Sequence, residues 1–285
     1  MLNRTFLHIP SVGEKTEREL WSQGVHTWEQ FLSRKDQVSI GRSSRAVVTE
    51  HIEKSQEALE QGDAAFFAHR LPSNQVWRLY PDFAHKLTFL DIETTGSSFP
   101  SAHITTIGIY DGHAPRAFVR GRDLDAFAKA VTSDRVLVTY NGKCFDVPWI
   151  EAELGIRMPR AHIDLRYVLA SLGLKGGLKS VERQVGFGRE GALAEVDGYF
   201  AVLLWKHFER TRNPRVLETL LRYNLEDVVK LKPLIQIAYN RNLRLTPFRD
   251  LSDCVVEPTC EVEVPVHADV IAEVRRRYGS SMHGY

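Results

Sequence analysis

A chain of 285 residues with 37 basic and 36 acidic side chains carries a formal charge of +1. That balance excludes a strong non-specific pull on nucleic acid and allows only a local basic groove. No stretch approaches the run of about 18 apolar residues that a membrane span needs, and the opening MLNRTFLHIP lacks the apolar centre of a secretory signal. Cys144, Cys254 and Cys260 have no zinc-ligand spacing, so a reduced, cytoplasmic setting is expected. The length suits one large α/β domain with a small appendage.

Residues 1–72 are expected to form a small helical module. Helical spacing runs over 14–23 through Leu20 and Trp21, Gly24 is a suitable stop, and Trp28, Phe31 and Leu32 give the next apolar face. An amphipathic helix is predicted over 43–59, with Val47, Val48, Ile52 and Leu59 on or near its inner face. The string IPSVGEKTERELWSQGVHTWEQFL resembles a helix-hairpin-helix unit. Such a unit offers backbone N–H groups, here near Ser11–Gly13, to a nucleic-acid phosphate. Ser11 stands where that family usually carries glycine, and a plain packing module is the other reading. Pro72 and Pro81 bracket a connecting loop into the main domain, residues 84–242.

That domain opens on KLTFLDIETTG. Leu87, Phe89 and Leu90 form a strand-like run ending in Asp91-Ile92-Glu93. Alternation turns Asp91 and Glu93 to one face and Ile92 to the other. Two neighbouring carboxylates are unfavourable unless something cationic neutralises them. Thr94-Thr95-Gly96 then turns the chain. A strand pair over 104–110 and 117–120 is joined at Asp111-Gly112. Residues 124–131 are read as a helix burying Leu124, Phe127, Ala128 and Val131. Residues 136–140 form a wholly apolar strand, as inside a sheet covered on both faces. Asn141-Gly142-Lys143-Cys144-Phe145-Asp146 follows, before a helix starting near Pro148, and Asp146 taken alone is well placed as its N-cap. A late helix over 214–238 brings Tyr223 and Asp227 to one face.

DIETTG, NGKCFD and YNLED, in that order, resemble the three motifs of the DEDD superfamily of exonucleases. The match covers roughly residues 85–240 and points to the subgroup with tyrosine in the last motif. It is similar to a bacterial branch, the YprB-like ribonuclease H-like domains. The resemblance implies an α/β, ribonuclease H-like fold, with a mixed central sheet flanked by helices. It makes Asp91, Glu93, Asp146 and Asp227 metal ligands and Tyr223 the residue that positions water. It implies a 3′–5′ exonuclease acting on single-stranded 3′ ends of DNA or RNA. A donor set of oxygen alone suits Mg²⁺ or Mn²⁺, two per site, and two divalent ions would neutralise four converging carboxylates. Tyrosine, ordinarily titrating near about 10, fits a hydrogen-bonding role better than that of a base.

Thr94, Asn141, Phe145, Lys175 and Lys179 are the expected substrate contacts. Lys175, Lys179 and Arg183 recur at helical spacing, and Arg210, Arg212 and Arg215 crowd the turn before the last helix. These cations are either a solvated face or phosphate contacts. Phe99, His103 and Phe145 are near enough in sequence to stack a terminal base, with core packing the stronger reading for Phe145. Asp164 is expected to cap a helix starting at Leu165 and is not counted as a ligand. Residues 243–285 form an extension without helical periodicity, ending in Arg275-Arg276-Arg277 and a Gly/Ser-rich end. No function is assigned to it. A structure-specific endonuclease and a non-catalytic nucleic-acid scaffold remain the alternative functions.

Overall fold

Alternating apolar runs are committed to two opposite faces, and the sheet they build is buried on both. The computed structural model describes residues 1–188, 191–193, 196–249, 251 and 253–278. Its strands are β1 (Leu87–Thr94), β2 (Ile104–Tyr110), β3 (Pro115–Val119), β4 (Val136–Thr139) and β5 (Ala161–Asp164). They form one mixed five-stranded sheet in the order β3-β2-β1-β4-β5. β1 pairs antiparallel with β2 and parallel with β4, and β4 pairs parallel with β5. The hairpin between β2 and β3 turns at Asp111-Gly112 as expected, with Gly112 at φ +97°, where a side chain would be strained.

The helices are α1 (Glu14–Ser22), α2 (Trp28–Arg34), α3 (Arg45–Glu60), α4 (Ala64–Ala68), α5 (Tyr80–Phe83) and α6 (Asp146–Leu154). Then come α7 (Leu165–Ser171), α8 (Leu178–Gln184), α9 (Gly198–Thr211), α10 (Pro214–Leu243) and α11 (Ala268–Tyr278). Leu90, Ile92, Ile107, Ile109 and Leu137 pack with Trp149 and Ile150 of α6 on one face of the sheet. Phe89, Val136 and Val138 pack with Val228, Leu231 and Leu234 of α10 on the other. α10 starts on Pro214, with the Asn213 side chain accepting from the Arg215 N–H at 3.1 Å. It runs past the expected end at 238 because Tyr239 and Leu243 continue its buried stripe.

The N-terminal helices share their apolar core with this second face, and α4 packs on β5. Glu17 of α1 is the polar centre of that junction. It accepts from Thr5 Oγ1 at 2.8 Å, from the Phe6 N–H at 2.7 Å and from both Arg78 Nη atoms at 3.1 and 2.9 Å. His8 sits beside it among Trp28, Phe66 and Phe67. The Ser55 hydroxyl donates to the His51 carbonyl and so must accept from His8 Nε2–H, which leaves Nδ1 unprotonated. Burial accordingly pushes the His8 ring down to about 3, and the same cause holds His162 of β5 at about 3.

Three expectations need correction. The segment between Pro72 and Pro81 is no open loop. A 3₁₀ turn at Val76–Leu79 occupies it and runs straight into α5 and a second 3₁₀ turn at Ala84–Lys86, because Val76, Trp77, Leu79 and Phe83 bury themselves at helical spacing. The 124–131 helix is a 3₁₀ segment, Leu124–Lys129, which buries Leu124 and Phe127 but leaves Ala128 exposed. The extension carries a helix after all, since α11 buries Val270, Ile271 and Val274 against α9 and α10. The Gly/Ser-rich end, 279–285, lies outside the described residues.

Glu17→Ala should destabilise the chain by about 3–5 kcal/mol, since it strands a buried guanidinium and two backbone or hydroxyl donors. Chemical denaturation would measure it, and a loss under about 1 kcal/mol would mean that the pair is incidental. Both histidine rings titrate below the ordinary value near about 6.5, so protons favour the unfolded chain. Their contribution is therefore complete above about pH 6.5 and is lost as pH falls toward 3. At pH 5 each ring should cost ~2 kcal/mol, and His8→Phe should remove its share of the acid sensitivity.

Candidate active site

Asp91 and Glu93 follow Leu87 and Phe89 on the β1 face that α10 covers, as alternation requires. The β1–β2 register slips between Glu93 and Thr94, so regular pairing ends where the carboxylates stand. From the other side α10 presents Tyr223 and, one turn on, Asp227. One carboxylate oxygen each of Asp91, Glu93 and Asp227 lies within 4.8 Å of the other two. Glu93 and Asp227 are buried, while Asp91 is half-buried.

Asp146 joins them by a different route. It is the first residue of α6 and does not cap it; the N-cap is Phe145. Its Oδ1 instead accepts the Ile92 N–H at 3.1 Å, which fastens α6 to the middle of the Asp91-Ile92-Glu93 run. Burial pushes the Asp146 carboxyl well above the ordinary carboxylate range, and the charge of Asp91 adds to the rise. Asp146 is not among the three clustered oxygens, yet it lines the same cleft. Asp164 does cap α7, accepting the Arg166 N–H at 3.1 Å. It also takes the N–H groups of Asn141 and Lys143 at 2.7 and 3.0 Å, shaping the second motif from behind.

The cleft has a volume of about 940 Å³. Asp91, Glu93, Asp146, Tyr223, Asp227, Thr94, Asn141, Phe145 and Lys179 all line it. Thr94 Oγ1 donates to the Gly96 carbonyl at 2.6 Å and fixes the turn. Asn141 adopts φ +70° and accepts from Arg166. Phe145 leans on Trp149 with ring centroids 5.3 Å apart. Lys179 lies 4.3 Å above the Tyr223 ring and donates to the Val196 carbonyl. Lys175 is exposed on its loop and does not line the cleft. Arg183 is exposed, and Arg215 is engaged with Asp269 and His267. Arg210 contacts His207, and Arg212 lies over Phe208. Phe99 is half-exposed with its ring edge-on to Trp149, and His103 faces Glu153 at 3.5 Å.

Two neighbours of the carboxylates escaped sequence reasoning. Tyr199, at the start of α9, lines the cleft, and only the docking of α9 brings it there. Asn224 is fully buried beneath Asp91 and donates to its Oδ2 at 2.8 Å. A signal for Asn224 existed: it is a polar residue in the inner stripe of Leu217, Leu220, Val228 and Leu231, where periodicity calls for an apolar one.

A mixed sheet with carboxylates gathered from its central strand and two helices defines a class. Residues 88–239 match the RNase_H_2 family model, and the chain belongs to the RNase_H superfamily. Among individual proteins it is similar to an uncharacterized protein of Bacillus subtilis (strain 168), YprB. The two are 28% identical over 169 residues, which is 52% of this chain and 40% of the relative. The chain thus spans well under half of that protein's length in the match. Membership of this superfamily suggests metal-dependent nuclease chemistry on nucleic-acid substrates. The donor set agrees. Three converging oxygens, with no His or Cys among them, suit a hard divalent cation. Ligand distances of roughly 2.0–2.6 Å allow oxygens on opposite sides of one ion to be about 4–5 Å apart, the size of this cluster.

Metal should therefore stabilise the fold by relieving carboxylate repulsion. Titrating Mg²⁺ or Mn²⁺ into chelated protein should raise its melting temperature, and Asp227→Asn should abolish the rise. A melting curve indifferent to millimolar Mn²⁺ would remove the cluster as a cation site.

Proposed function

We propose that this chain is a metal-dependent 3′–5′ exonuclease that hydrolyses phosphodiester bonds of DNA or RNA at single-stranded 3′ ends. The observation that carries the reading is the convergence of Asp91, Glu93 and Asp227 on one point of an open cleft that Asp146 and Tyr223 also line. Direction and exo-action rest on the likeness of DIETTG, NGKCFD and YNLED to the DEDD motifs, tyrosine subgroup.

Asp91, Glu93, Asp146 and Asp227 are the groups that would hold two Mg²⁺ or Mn²⁺ ions. Such ions, when bound, activate water as a nucleophile and offset charge on the departing 3′-oxygen. The chain's own share is position. Tyr223, buried under Lys179, is fixed to orient the attacking water by a hydrogen bond. Lys179 supplies positive charge beside the scissile phosphate, and Thr94, Asn141 and Phe145 form the walls against the terminal nucleotide. Lys175 would meet the strand farther out.

In this reading residues 84–242 are the nuclease domain, and 243–285 are an extension to which no role is assigned. Residues 1–72 are a helix-hairpin-helix-like module for nucleic-acid phosphates. Ser11 supports that role, because at φ +68° it takes the left-handed backbone for which the usual glycine is suited. The proposed setting is the cytoplasm, a reading supported by the few cysteines without zinc-ligand spacing.

The test is digestion of 5′-labelled DNA and RNA of one sequence with Mg²⁺ or Mn²⁺. A ladder shortening from the 3′ end is expected, with circular single strands untouched and excess chelator abolishing cleavage. Tyr223→Phe should slow single turnover roughly 10²-fold, the worth of one positioned hydrogen bond of ~2–3 kcal/mol. Cutting of the circle would make the enzyme an endonuclease. A parent rate in Tyr223→Phe would remove Tyr223 from the mechanism.

A further inference from the structure

Asn224 stands inside YNLED without any of the roles the resemblance implies, yet it is the side chain that α10 sets directly behind Asp91. Its Nδ2 lies 2.8 Å from Asp91 Oδ2 and 3.3 Å from the Asp91 carbonyl. Both of those atoms are acceptors, so chemistry alone decides which way the amide points: the NH₂ faces Asp91. The amide oxygen is left toward Thr106, whose hydroxyl donates to it at 3.4 Å. A fully buried amide with its donor aimed at a carboxylate has one clear office, to fix that carboxylate's rotation.

Room for this contact is provided on β2. Gly108 is the register partner of Asp91. A Cβ at Gly108 would lie 2.6 Å from Asn224 Oδ1 and 2.8 Å from Val228 Cγ2. Any larger residue would push the amide, or the whole helix turn, away from β1. The glycine is therefore matched to Asn224.

We propose that Asn224 is a positioning residue for Asp91: its amide, given space by Gly108, holds the Asp91 carboxylate in the orientation from which it shares a cation with Glu93 and Asp227. The inference rests on the reading of that cluster as a metal site, and it is independent of whether the bound metal serves an exonuclease. Two substitutions separate the role from mere packing. Asn224→Leu keeps the volume and removes the donor. Asn224→Asp keeps the shape and the acceptor toward Thr106 but sets an acceptor against Asp91.

The measurement is Mn²⁺ affinity of the full chain without nucleic acid, read from the electron paramagnetic resonance signal of free Mn²⁺. It is paired with melting of the same samples in chelator. Loss of an outer-shell partner should weaken metal binding roughly 10- to 100-fold. Both variants should show that loss while the fraction folded at the assay temperature stays at the parent value. If Asn224→Leu does not fold, Asn224→Asp carries the comparison alone. A folded Asn224→Asp that binds Mn²⁺ within twofold of the parent overturns the proposal. So does an affinity that falls only in step with the folded fraction. A parent that binds no Mn²⁺ defeats the metal reading beneath it, and that outcome is visible in the first titration. Nuclease activity is not read at all, so failure of the exonuclease assignment leaves this result standing.

Discussion

The closeness of α10 to the sheet governs everything at the site. Asp91 and Glu93 are delivered by a strand and Asp227 by a helix, and they meet only if the helix packs closely on the sheet. Gly108 permits that distance, and nothing bulkier would. The inner stripe of α10, from Val216 to Leu243, supplies the apolar burial that draws the helix down. Its outer side is held from behind by the extension. Arg222 donates to the Val262 and Val264 carbonyls at 2.6 and 2.9 Å, and Gln236 and Lys232 hold Glu257 at 3.0 and 2.6 Å. Asn240 exchanges two bonds with the Cys254 backbone, and Arg215 pairs with Asp269 of α11. Among the described residues this extended strap pairs with no strand and bonds several of its backbone groups to side chains of one helix.

That approach works against electrostatics. Packing drives carboxylates together where solvent is scarce, and the rise at Asp146 is the visible consequence. The fold sets neutral donors against that repulsion. The Ile92 N–H serves Asp146, and the Asn224 amide serves Asp91. Neutral donors stabilise a carboxylate without cancelling its charge, so the cluster keeps its capacity for a cation. An arginine in either position would have formed a closed ion pair and left little negative potential to spare.

How much of this was legible in the sequence follows from the range of each interaction. β1 and the β2–β3 hairpin were readable because period-two alternation and an Asp-Gly turn are local signals. The Tyr223–Asp227 face was readable because one helical turn is local too. Asp146 was read first as a cap, since nothing within its own helix reveals a bond to Ile92, 54 residues earlier. Gly108 gave no signal, because its meaning depends on Asn224, which lies on another element. The 3₁₀ turns around Trp77 were hidden by proline, which interrupts helical patterning while leaving apolar surface to bury. In α11 the spacing of Val270, Ile271 and Val274 was a helical signal, short and overshadowed by the charges around it.

The topology explains why the cleft opens where it does. β1 has an antiparallel neighbour on one side and a parallel neighbour, β4, on the other. The chain leaving β1 turns back at once through Thr94–Gly96 into β2, whereas the chain leaving β4 runs through Asn141–Phe145 into α6. Connections departing in different directions from the same end of two adjacent strands leave a crevice between them, the place where open α/β sheets collect ligands. Thr94, Thr95 and Gly96 form one wall of it, and Tyr140, Asn141 and Phe145 form another. The carboxylates lie at its base because Asp91 and Glu93 are the last inward-facing residues before β1 ends. On the proposed function, a nucleic-acid strand would reach the carboxylates from the carboxyl ends of β1 and β4. The two faces of the sheet are closed, one by α6 and the other by α10 and the N-terminal helices.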